Sequence, residues 1–69
     1  MAYRVGDTVY AKGDIVEEVL GQPPIQYAGN GDALLVLVHR EGSSKYIVRK
    51  EGVPQVFCVA EEEIRAKPE

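Results

Sequence analysis

The chain has 69 residues, enough for one small domain. A domain of this size buries only about 60% of the surface its unfolded form exposes. One cysteine and one histidine rule out an internal disulfide and a four-ligand zinc site, so self-association is the expected source of added stability. Eleven acidic against eight basic residues give a net charge of −3, which disfavours a general binder of phosphate backbones.

Val5-Gly6-Asp7-Thr8-Val9-Tyr10-Ala11 alternates apolar and polar residues, with Val5, Val9 and Ala11 on one face, and predicts a half-buried strand. Lys12-Gly13-Asp14 is a turn signal. Ile15 to Leu20 is rich in β-branched residues and too short for an isolated helix, so it reads as a second strand. Gly21 to Asp32 reads as one long irregular excursion. Its Pro23-Pro24 pair forbids a central strand, and Gly29-Asn30-Gly31-Asp32 is a turn cluster rather than a phosphate loop, since it has no Gly-Lys-Ser/Thr ending.

Ala33 to Val38 is the strongest strand signal and is apolar on both faces: Leu35 and Leu37 on one, Leu34, Val36 and Val38 on the other. A strand with two apolar faces asks for cover on its outer side. The Pro-Pro excursion and a second copy of the chain both remain open for that role. An oligomer interface through Leu34, Val36 and Val38 is therefore expected. His39 to Ser44 is a polar connection, Lys45 to Lys50 a returning strand, Glu51 to Pro54 a turn, and Gln55 to Val59 the last clear strand. Ala60 to Arg65 predicts a helical or 3₁₀ turn and a short closing strand, and Lys67-Pro68-Glu69 a fraying end.

Five short strands punctuated by Gly and Pro predict an all-β barrel. Val5-Gly6-Asp7-Thr8-Val9 resembles the first strand of SH3-like barrels. Tyr46, Val48 and Arg49, then Val56, Val59 and the Glu61-Glu62-Glu63-Ile64 ending, are similar to the closing half of that architecture. The resemblance implies a five-stranded SH3-like barrel with a short helical or 3₁₀ turn before the C-terminal strand. Gln55-Val56-Phe57-Cys58-Val59-Ala60 with Glu63 also looks like a segment of the type II, plasmid-borne dihydrofolate reductases, small barrels whose four copies enclose one pore. That resemblance implies Gln55 and Phe57 facing a pore, with the Val56 backbone near a nicotinamide. Two departures are plain. Phe57 stands where that family has tyrosine, and Ala11 where it has a ligand-binding lysine.

Among chemistry-bearing residues, His39 ends the apolar strand with no nucleophile or acid beside it in sequence, and a surface position is expected. Cys58 alternates with Val56 and Ala60, an apolar set, and is expected to be a buried, inert thiol. Glu61-Glu62-Glu63 are poorly arranged for a metal and read as a solvated end. Tyr3, Tyr10, Tyr27 and Tyr46 are the most suggestive surface feature, because aromatic side chains near loop ends serve peptide binding. The expected ligand- or partner-binding residues are Tyr10, Tyr27, Gln55 and Phe57, with no catalytic residue, metal or cofactor. The leading expectation is a non-enzymatic binding or assembly module acting as a homo-oligomer, its further partner a protein or small molecule. The alternatives are an NADPH-dependent reductase-like oligomer, and a nucleic-acid-binding barrel using Arg40, Lys45, Arg49 and Lys50. No segment has the pattern of a signal peptide or a membrane span, so a cytoplasmic protein is expected.

Overall fold

Seven strands and a single 3₁₀ turn make up the computed structural model, which describes residues 3–67. In chain order these are β1 (Thr8–Ala11), β2 (Ile15–Glu17), β3 (Ile25–Ala28), β4 (Ala33–His39), β5 (Lys45–Lys50) and β6 (Val56–Ala60). The 3₁₀ turn (Glu61–Glu63) and β7 (Ile64–Arg65) follow. The expected fraying at Pro68 and Glu69 lies outside the described residues. Five strands form one sheet in the order β6-β5-β4-β1-β7, and β2 and β3 form a separate two-stranded ribbon. The all-β expectation holds. The pairing gives two sheets rather than a cylinder closed by five strands.

The ribbon corrects the reading of residues 21–32 as irregular. Pro23 and Pro24 do lie outside any strand, but Ile25-Gln26-Tyr27-Ala28 turns back to pair antiparallel with β2. β2 itself stops at Glu17, short of the expected Leu20, which is fully exposed. At the other end of this excursion the Gly29–Asp32 turn is locked by reciprocal bonds. Asp32 N–H donates to the Gly29 carbonyl at 3.0 Å, and Gly29 N–H donates to Asp32 Oδ2 at 2.7 Å. Gly31 sits at φ +85°, where a side chain would be strained, and its N–H reaches the Ala11 carbonyl at 2.8 Å. β1 begins at Thr8 rather than Val5. Gly6 at φ +95° makes a turn there, leaving Val5 exposed.

The core is supplied by alternate residues: Val9 and Ala11 from β1, Leu34 and Val36 from β4, Tyr46 and Val48 from β5, Phe57 and Val59 from β6. Ile15, Ala28 and Ile64 close it from the ribbon and β7. Tyr46 is fully inside, at 1% exposure. Its hydroxyl accepts the Tyr3 N–H at 3.2 Å, which ties down the N-terminal segment.

Two expectations about β4 and β6 are corrected here. Leu34 and Val36 were assigned to an oligomer interface, yet they are 1% and 0% exposed within this one chain. Val38 was placed on their face, but the β4–β5 register shifts between Val36 and Val38: Val36 pairs with Val48, Val38 with Ile47, and Leu37 is the unmatched extra residue. A bulge of one residue reverses the phase of a strand. Val38 therefore points outward at 55% exposure, and His39, paired with Tyr46, takes the inner side. Cys58 is exposed rather than buried, because the larger Phe57 and Val59 take the inward positions of β6.

Candidate functional site

A second bulge builds the site. Ile15 pairs with Ala28 but Val16 pairs with Gln26, so Tyr27 is unmatched in β3. Bulges re-aim side chains, and the ring of Tyr27 lies flat against Phe57 of β6, centroids 4.9 Å apart and planes within 12°. This stack bridges two elements that share no backbone pairing. Between the ribbon and β6 it leaves an open groove of about 580 Å³, lined by Ile15, Val16, Glu17, Glu18, Tyr27, Val56, Phe57, Cys58 and Glu63. Val16 and Val56 are 46% and 50% exposed, unusually wet for valine on strands.

The groove's charge is of one sign. Glu17 ends β2, Glu18 follows it and Glu63 comes from the 3₁₀ turn, and no basic side chain lines the groove among the described residues. Two of these carboxylates are held in place. Glu17 Oε1 accepts the Tyr27 hydroxyl, and the Ala60 N–H donates to Glu63 Oε1 at 2.8 Å. The bond to Glu17, then burial and the carboxylate's charge, push the Tyr27 phenol above its ordinary pKa. At neutral pH Tyr27 is an uncharged donor fixed by its carboxylate neighbour. An apolar aromatic floor with an acidic rim suits a ligand that is apolar along its body and cationic at its ends or edges.

Of the four residues expected to bind ligand, Tyr27 and Phe57 come together here. Gln55 is exposed just before β6, outside the groove lining. Tyr10 is half-buried and pairs with Ala33 and Arg65 on the outer side of the large sheet, away from the other three. Ile15, Val16, Glu17, Glu18, the Val56 side chain, Cys58 and Glu63 were missed as site residues. The available signal was Val16, an apolar residue on the polar side of an alternating strand and next to two glutamates.

The remaining chemistry is dispersed. His39 is half-buried, stacked on Tyr46 at 4.4 Å, with Nε2 3.0 Å from the Ser43 carbonyl oxygen. A carbonyl only accepts, so Nε2 is the donor of that bond, and the ring packs on Tyr46. Lys50 pairs with Asp32 Oδ2 at 3.1 Å. Arg49 lies across from Leu35 and Val56, while Arg40 and Lys45 border Val38, Ile47 and Cys58. Among the described residues no group of three His, Cys, Asp or Glu could hold a metal ion, and no helix is long and apolar enough to cross a membrane. The outer side of the large sheet is a second apolar surface, where cross-strand neighbours Val38, Ile47 and Cys58 run beside Leu35, Arg49 and Val56.

No family model, curated protein or solved structure matches the chain.

Proposed function

We propose that this chain is a non-enzymatic binding module of SH3-like architecture, and that the groove between the β2–β3 ribbon and β6 is its ligand site. What supports the SH3-like reading is the one-turn 3₁₀ helix before the last strand, beside an antiparallel five-stranded sheet that stays open between β6 and β7. The observation that carries the binding reading is the Tyr27–Phe57 stack. Two aromatic residues thirty positions apart meet at the floor of an open groove, with exposed valines on its flanks.

The acidic rim weighs against the reductase alternative. Phe57 and Val56 stand beside Glu17, Glu18 and Glu63, and the phosphates of NADPH would meet three carboxylates and no cation. Nucleic acid is disfavoured on the same ground, and because Lys50 is engaged by Asp32. Selection of random displayed peptides on the wild-type chain tests the proposal. The enriched sequences are expected to lose binding to a Val16→Lys/Val56→Lys double variant that keeps its far-UV circular dichroism. Enrichment of peptides indifferent to both substitutions, or no enrichment, would overturn it.

Self-association is a second reading, favoured by the outer surface around Val38 and Ile47 rather than by Leu34 and Val36. Light scattering after size exclusion is expected to give a mass above the monomer, lowered by Val38→Lys. A monomer at high concentration would remove this reading and leave the groove untouched.

A further inference from the structure

The groove is bounded along one side by the edge of a strand. β6 is the end strand of its sheet, and the ribbon facing it pairs only with itself. On such an edge, every second residue presents its backbone N–H and C=O to whatever lies alongside. Natural proteins usually blunt a free edge with a charged residue, a proline or a bulge. β6 has none of these. Its sequence is Val56-Phe57-Cys58-Val59-Ala60, and it pairs with β5 through five consecutive residues without a register shift. At its end the Ala60 N–H is already taken by Glu63 Oε1; over Val56–Val59 the edge carries no such block, and an edge of this kind opening onto an apolar, acid-rimmed groove has the features of a strand acceptor.

We propose that an extended peptide segment enters this groove and adds to β6 as a further strand, its sequence alternating lysine or arginine with apolar residues. The inference rests on the groove being the ligand site and specifies what occupies it and how. Five residues of β6 span roughly 17 Å, which an occupant of five to seven residues would cover. Successive side chains of a strand point in opposite directions. One set therefore meets the Tyr27–Phe57 floor while the other reaches the rim of Glu17, Glu18 and Glu63. Charge complementarity selects a foreign cationic segment over a second copy of this chain. Two copies joined edge to edge at β6 would bring two sets of these three carboxylates together on chains that each carry −3.

The probe is a blocked heptapeptide of alternating lysine and valine, titrated into the ¹⁵N-labelled protein. Two analogues accompany it, one with glutamate for lysine and one N-methylated at the alternate residues whose N–H groups would face β6. The lysine–valine peptide is expected to shift the resonances of Val16, Tyr27, Val56 and Phe57 and to slow hydrogen exchange at the groove-facing amides of β6. The N-methylated analogue is expected to bind at least about tenfold more weakly, the loss of roughly 1.4 kcal/mol of pairing. The glutamate analogue is expected not to bind, and Glu18→Lys to weaken the lysine–valine peptide several-fold at low salt. Equal binding of the N-methylated analogue would overturn strand addition while leaving the groove as the ligand site. No response to the lysine–valine peptide at millimolar concentration, or shifts confined to the outer surface around Val38 and Ile47, would also overturn strand addition. The display selection above then decides the groove separately.

Discussion

Val36 and Val38 are two residues apart on one strand, and ordinary alternation gives them the same environment; the bulge at Leu37 gives them opposite ones. Replacing each with lysine tests this directly. At Val36, which has no exposed surface, the change removes a buried valine worth about 1.5–3 kcal/mol. It also asks the core to hold an ammonium at a penalty of several kcal/mol. A chain of this length is stable by about 3–10 kcal/mol, so Val36→Lys is expected to be unfolded or nearly so. At Val38 more than half of the side chain is already in water. The lysine stem can lie over the same neighbours, and the loss is expected to stay below about 1 kcal/mol. Urea unfolding followed by far-UV circular dichroism at low micromolar concentration reads both. With a slope near 1 kcal/mol/M for so small a domain, Val38→Lys should move the midpoint by less than about 1 M. Equal destabilisation by the two substitutions would refute the bulge, and with it the outward placement of Val38.

Three further outcomes follow from particular contacts. The Gly29 N–H and then the hydrogen bond from Lys50 hold the Asp32 carboxyl below its ordinary value against the opposing effect of burial, with the Lys50 charge adding a lesser pull in the same direction. The native state therefore binds that proton less readily than the unfolded chain. The stability this contributes is present above the unfolded value and is lost as pH falls through the depressed native one; in urea midpoints measured from about pH 6 to pH 2, Asp32→Asn should flatten the acid limb, and unchanged curvature would contradict the assignment. Deleting Leu37 removes the unmatched residue and leaves a regular β4–β5 ladder with the same partners on either side, so the deletion is expected to fold at a cost of about 1–2 kcal/mol for the lost leucine; an unfolded deletion variant would count against the register. Native Cys58 should react with a thiol reagent at close to the rate of the unfolded chain, since it is exposed; protection by many-fold in the monomer would place it inside.

Much of the chain was legible where the period-two pattern is unbroken. β1, β5, β6 and the 3₁₀ turn before β7 fall close to the stretches whose alternation and punctuation announce them. β3 was not legible. Ile25-Gln26-Tyr27-Ala28 is four residues long and sits between a double proline and a glycine-rich turn, and it is a strand only because β2 lies across from it. Both bulges escaped for a related reason: a one-residue mismatch is a property of a pair of strands, and neither partner's sequence records it. The first changed the inside and outside of β4. The second turned Tyr27 onto Phe57 and so made the groove. Cys58 was misplaced because apolar neighbours at alternate positions do not say which set is larger, and Phe57 with Val59 fills the core better. The tyrosines were flagged as a group, but only folding divides them into Tyr46 inside, Tyr27 at the groove and Tyr10 on the far side.

The ribbon's attachment has a mechanical consequence. Hydrogen bonding within β2–β3 is self-contained, so the ribbon is seated on the large sheet by packing rather than by backbone pairing: Ile15 and Ala28 sit in the core, and Tyr27 rests on Phe57. The ring pair contributes about 0.5–1.5 kcal/mol beyond its buried area, and the buried Ile15 side chain about 1.5–3 kcal/mol. Parting the rings alone would therefore widen the mouth of the groove at small cost, while the two core anchors keep the ribbon on its platform.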